Sequence, residues 1–314
     1  MNRQLHITNG SKLTAYLNEL HFSGVFFTWH EMLCEGPTHK IINTRQFLEA
    51  RKQFFKTYYD LEIDEAELKQ EFKKLDNADE TYDEIVLWFE YDLFCHINLL
   101  AVISLLHQLD IHLPLFLVCS GRVQNEKGLK ALTELTKEQL LAHYEARIQL
   151  NEKDIALARS LWQVYNGKDP NLFIDYLPIT SSFTYLSNCL IAHLERFPDQ
   201  MTGLSTLERN TLELIQTHTI KSKHQLLGYM LNYQGYYGYS DLQLKRLIDV
   251  LSPLYQMNEE GCIALSRKGH EALLGLHNFA QEINNTMMYG GVESIAYMYN
   301  HTEKRLIKTP RNVN

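Results

Sequence analysis

Short apolar runs alternate with stretches of helical period through the first third of the chain. Leu5–Thr8 is strand-prone and ends at Asn9-Gly10. Leu13, Tyr16, Leu17 and Leu20 then recur at the spacing of one helix face. Residues 24–28, Gly-Val-Phe-Phe-Thr, predict a second strand. Glu35-Gly36-Pro37 punctuates the chain, and Thr44 is suited to cap a helix reaching about Tyr59. A charged helix is expected over Asp64–Leu75. Glu84–Trp88 predicts a third strand, Asp92 caps an expected helix over Leu93–Leu109, and Leu115–Val118 predicts a fourth strand. Such alternation predicts an α/β fold with a parallel, Rossmann-like sheet. The unbroken apolar character of the last two strands fits burial on both faces.

From about Thr136 the pattern turns helical, with candidates at Lys137–Gln149, Asp154–Tyr165 and Ser182–Arg196. Thr206–His218, Ser222–Tyr233 and a helix from Ser240 or Asp241 to about Leu251 follow. Leu254–Met257 and Cys262–Leu265, split by Glu259-Glu260-Gly261, predict a hairpin, and Ser266-Arg267-Lys268-Gly269-His270 opens a short helix. Three helices and a two-stranded wing predict a winged helix-turn-helix. The expected organisation is an α/β domain over 1–125, a helical connector over 126–200, a winged-helix-like domain over 201–280, and a tail over 281–314 that is polar and frayed after Arg305.

Composition adds exclusions. With 314 residues, 45% apolar and 22% charged, the chain is ordinary globular material, not a disordered, collagen-like or disulfide-scaffold sequence. The net charge of −8 is uneven. Residues 1–122 carry 11 Lys and Arg against 18 Asp and Glu, and residues 123–314 carry 19 against 20. Long-range attraction to nucleic acid is therefore not expected in the first part. Residues 204–275 carry seven of each sign, although Lys245, Arg246, Arg267 and Lys268 keep nucleic acid open as a partner of the winged helix. The five cysteines are far apart and form no CxxC pair, which points to reduced thiols and away from structural zinc. Met1-Asn2-Arg3-Gln4 runs into a strand with no apolar leader core, and apolar runs such as Asn98–Leu106 are too short to span a bilayer. A cytoplasmic protein with no membrane partner is expected.

Open parallel sheets bind ligands beyond the carboxyl ends of their strands. Here each strand end is followed by polar residues: Thr8, Asn9, Gly10 and Ser11; then Trp29, His30, Glu31 and Glu35; then Glu90, Asp92, His96 and Asn98; then Ser120, Gly121 and Arg122. The turn Thr8–Ser11 could offer helix amides to a phosphate, though neither the GxxxxGK[ST] nor the GxGxxG spacing is present. Glu31, Glu35 and Asp92 are the candidate catalytic carboxylates, and with Glu90 they could hold Mg²⁺. His96 lies one turn beyond Asp92 and could contact the same ligand or metal. Arg45 and Arg122 suit phosphate, and Arg45 is the expected counter-charge. Plainer readings compete. Asp92 can be only a cap, His96 a buried histidine, Glu35 a surface carboxylate, and Trp29 and Trp88 core.

Three of these segments carry a resemblance. Leu5-His6-Ile7-Thr8-Asn9-Gly10, the run from Trp29-His30-Glu31 to Glu35-Gly36-Pro37, and Leu87-Trp88-Phe89-Glu90-Tyr91-Asp92-Leu93-Phe94 resemble the bacterial family called domain of unknown function 1835, over about residues 4–122. The leucine-rich helices and Leu265–His270 resemble the helical part of its longer members. The resemblance implies no activity and gives no residue a catalytic role. Ser11 stands where many members have Asp, and His30 where Arg is common. The expected function is binding of a phosphorylated small molecule or nucleotide at the strand ends, with hydrolysis or transfer left open. The alternative is a non-enzymatic regulator whose winged helix binds nucleic acid or protein.

Overall fold

The computed structural model describes residues 3–119, 121–123, 126 and 128–310. The chain forms two compact units, Met1–Asn166 with Pro178–Leu186, and Gly167–Leu177 with Ser187–Asn314. Residues 126–200, expected as a connector, are shared between them.

The first unit contains β1 (Gln4–Asn9), α1 (Ser11–Glu19), β2 (Val25–Trp29), α2 (Arg45–Tyr59), α3 (Glu65–Lys73), β3 (Glu84–Phe89), α4 (Leu93–Gln108), β4 (Leu115–Cys119), α5 (Lys137–Glu145), β5 (Ile148–Gln149) and α6 (Glu152–Tyr165). The first four strands lie parallel in the order β2-β1-β3-β4, and β5 adds antiparallel to β4. The expected helix over Lys137–Gln149 thus ends at Glu145 and yields an edge strand. Ile148 and Gln149 are both exposed, so no buried alternation signals them.

Register brings the strand ends together. Asn9 pairs with Trp29, Thr8 with Trp88, and Phe89 with Cys119, so the loops that follow leave from one edge. Every residue of β3 is buried, as a strand covered on both faces requires. Val86 and Trp88 pack with Leu13 and Leu17 of α1 and Leu140 of α5. Helix α4 is apolar all round, buries most of its length and packs against α6. At the other edge, α3 supplies polar side chains to β2: the Thr28 N–H donates to Glu71 Oε2 at 2.7 Å, and Lys74 Nζ, one residue past α3, donates to the Phe26 carbonyl at 2.7 Å.

The second unit contains α7 (Leu186–Leu194), α8 (Thr206–Thr217), α9 (Lys223–Tyr233), α10 (Asp241–Val250), β6 (Tyr255–Met257), β7 (Ile263–Leu265) and α11 (Arg267–Leu274). Ser205 and Glu208 form a reciprocal capping box at the start of α8. Strands β6 and β7 pair antiparallel, and Ile220 bridges to Ile263. Leu212, Leu226, Leu227, Leu244, Leu247 and Leu254 are buried.

The stretch 281–314, expected as a tail, instead carries β8 (Met288–Gly290) paired with β9 (Val292–Glu293), and β10 (Tyr297–Asn300) paired with β11 (Arg305–Lys308). Tyr297 and Tyr299 alternate with less buried neighbours, and Leu306 is buried, which is the period of a half-buried strand. The polar turn His301–Lys304 disguised this pattern. No described helix is long and apolar enough to cross a membrane.

Candidate functional site

The site is built where β1 and β3 end. Asn9 is the last residue of β1, and Gly10 turns the chain into α1 at φ 98°. A Cβ at Gly10 would meet nothing within 4 Å, so backbone conformation and not crowding calls for glycine. Helix α1 therefore opens without a side-chain cap.

Beyond β3, Glu90 accepts from the Leu132 N–H at 2.8 Å. Asp92 caps α4, its Oδ1 accepting from the Cys95 N–H at 2.8 Å. One ligand atom each from Glu90, Asp92 and Cys95 lies within 4.8 Å of the others. Burial pushes both carboxyls up toward neutrality, and the neighbouring Asp92 charge adds to the effect on Glu90. The same surroundings hold Cys95 as a thiol and push Cys119 up to about 12. Asn9 Nδ2 donates to Cys95 Sγ at 3.0 Å, while Asn98 Nδ2 donates to Asn9 Oδ1 at 2.8 Å. Asn98 also donates to the Glu31 carbonyl at 2.7 Å and accepts from the Leu33 N–H at 3.1 Å. One amide thereby ties the end of β1 to the loop after β2.

The other expected site residues go elsewhere. Glu31 pairs with Arg51 Nε at 2.9 Å, and Glu35 is fully buried with the Tyr59 hydroxyl donating to it. Arg51, like Cys95, is a residue that sequence reasoning missed. It has no exposed surface and also donates to the carbonyls of Met32 (2.9 Å), Glu35 (2.7 Å) and Pro37 (3.3 Å). Its guanidinium takes the counter-charge role expected of Arg45. Arg45 is exposed at the start of α2 and lines a separate hollow beside Trp29. A sequence signal existed: Arg51 stands four residues after Phe47 and three before Phe54, on the buried stripe of α2. Gly36 sits at φ 84°, and a Cβ there would come within 2.5 Å of Phe54 and 2.6 Å of Arg51 Nη1.

Thr8 is buried in the seam between sheet and helix, bonded to Thr14 at 2.5 Å, and Ser11 is the exposed first residue of α1. His96 Nδ1 donates to the Asp92 carbonyl at 2.9 Å, and burial pushes the ring down to about 4, so it is neutral. It is not among the three clustered ligand atoms. Arg122 is exposed, bridges to Leu129 and lines a hollow of about 380 Å³ with Cys119, His143 and Tyr185. Tyr185 meets the ring of Tyr91, the residue between Glu90 and Asp92, with centroids 6.0 Å apart. Ser120 lies outside the described residues. The structure thus brings Asn9, Glu90 and Asp92 together with Cys95, and directs Glu31 and Glu35 into the support of the loop.

No family model and no curated protein matches the chain. The DNA-binding, cleavage and re-ligation domain of Plasmodium falciparum topoisomerase II is similar over 80% of this chain and 42% of that one, at 13% identity and a TM-score of 0.47. The chain thus spans less than half of that neighbour's length, and neither fold nor function passes from one to the other at that degree of likeness.

Proposed function

We propose that the edge of the parallel sheet binds a small phosphorylated molecule, of nucleotide type, together with a divalent cation. The observation that carries this is the meeting of Glu90 and Asp92 beside the uncapped start of α1. Two crowded carboxylates need a positive charge, helix amides favour an anion, and a cation with phosphate meets both demands. Carboxylate oxygens suit Mg²⁺, whereas the Cys95 thiol does not, so Glu90 and Asp92 would hold the ion with the ligand's own oxygens. The hollow lined by Arg122 and Tyr185 is linked to this pair through Tyr91, whose ring Tyr185 meets. The strand order supports a Rossmann-like reading, and the relation to domain of unknown function 1835 remains a proposal that rests on its three motifs. The same reading takes the protein as cytoplasmic.

Titration of ADP into the full chain tests this, with and without Mg²⁺. Binding that needs Mg²⁺, and that is lost in E90Q and D92N while both variants stay folded, is expected. Equal binding in the variants, or no binding of ADP, ATP or a sugar phosphate, overturns the reading.

A second reading has its own observation. Helices α8 to α10, the β6–β7 hairpin and the Ile220 bridge support a winged helix. The residues that α10 turns to solvent are Asp241, Leu242, Lys245 and Asp249, and the hairpin turn exposes Glu259 and Glu260. That surface suits a protein partner better than nucleic acid. Salt-dependent binding of duplex DNA by the full chain would reverse this preference.

A further inference from the structure

A second hollow of about 160 Å³ lies among β2, α2 and α3, lined by neither Glu90 nor Asp92. Phe27, Trp29, Phe47 and Phe72 contribute to its wall. Phe27 and Trp29 stack with centroids 6.2 Å apart, and Phe72 meets Phe27 edge-on at 5.7 Å. An apolar cavity of about 150 Å³ holds one benzene ring.

Trp29 is 3% exposed and its indole N–H is sealed from solvent, so the residue forms part of the wall and offers the hollow no donor. Arg45 and Lys69 also line the hollow and are exposed, and neither forms an ion pair among the described residues. The acids that share the lining are already taken, Glu31 by Arg51 at 2.9 Å and Glu65 by Lys52 at 2.6 Å. Arg45 and Lys69 share the field of Glu65 but close no ion pair with it among the described residues.

We propose that this hollow binds a small aromatic carboxylate, one ring in size. The ring matches the aromatic wall. The carboxylate supplies the negative charge that Arg45 and Lys69 attract. Inorganic phosphate would leave the apolar wall unmatched, and a neutral ring would leave both cations unmatched.

The test uses the full chain carrying ¹⁵N-labelled tryptophan, titrated with benzoate. Three indole N–H signals are expected, and W29F identifies the one from Trp29. Benzoate should move that signal saturably, and toluene should move it much less. Replacing the exposed pair, R45Q with K69Q, should weaken benzoate binding about fivefold or more without disturbing the core. This comparison stands even if W29F does not fold. An unmoved Trp29 signal at millimolar benzoate, equal affinity in the double variant, or equal response to toluene overturns the proposal.

Discussion

Trp88 donates its indole N–H to Nδ1 of His6 at 3.1 Å, which fixes the histidine tautomer. Nδ1 must accept, so Nε2 carries the proton and donates it to the Ser23 carbonyl at 3.0 Å. The ring is neutral, stacked on Phe26, and buried at the heart of the first unit. Burial lowers its pKa below the usual histidine value. The unfolded chain therefore gains a proton before the folded one does as pH falls. Stability supplied by neutral His6 is complete above about pH 6.5 and is lost as pH drops toward the lowered value. His6→Gln cannot titrate. Its urea midpoint should fall less between pH 7 and pH 5 than that of the parent, and parallel curves would show that His6 contributes nothing to the acid limb.

Arg51→Ala should destabilise the first unit by about 3–5 kcal/mol, because it leaves Glu31 buried without its partner and frees three carbonyls. Arg51→Lys should recover only a fraction, since an ammonium cannot reproduce the fork. Chemical denaturation measures both. A loss below about 1 kcal/mol in the alanine variant would mean that the loop after β2 holds its shape by other means.

Gly36→Ala should cost at least about 2 kcal/mol, from a φ of 84° together with the close approach of Phe54 and Arg51. Gly10→Ala has the strained φ but open space, so it should cost less. Thermal unfolding of the two variants orders them, and the reverse order would remove crowding as the reason for glycine at 36.

Glu90 and Asp92 have the opposite pH sense to His6. Their carboxyls are raised, so the fold favours the protonated forms, and the stability this brings is full in acid and is lost as pH rises through the raised values. Glu90→Gln should therefore be more stable than the parent at pH 8 and gain little at pH 5. Millimolar Mg²⁺ should raise the melting temperature of the parent at pH 8 and leave E90Q unmoved. Equal response of both proteins would detach the cation from Glu90.

What could be read in the sequence was local. Thr44, Asp64, Asp92 and Ser222 each accept a hydrogen bond from their own helix's first turn, a chemistry complete within four residues. The alternation of strand and helix likewise gave the parallel core. The carboxylates were harder. Glu31 and Glu35 look like rim acids until α2 packs across the loop, and Arg51 and Tyr59 arrive from 20 and 24 residues away. Asn98 sits inside an apolar helix, and only the fold reveals that it joins two strand ends.

The two bonds from Glu71 and Lys74 to the outer backbone of β2 have a consequence for assembly. A sheet grows by offering free N–H and C=O groups to an incoming strand, and at β2 one donor and one acceptor of that row are already engaged by side chains. At the opposite border the short β5 occupies part of β4 in antiparallel sense. Strand addition by another chain is hindered from both directions. Copies of this protein that associate in its native state should therefore not join through the borders of this sheet, while loss of α3 would convert β2 into a template for recruitment.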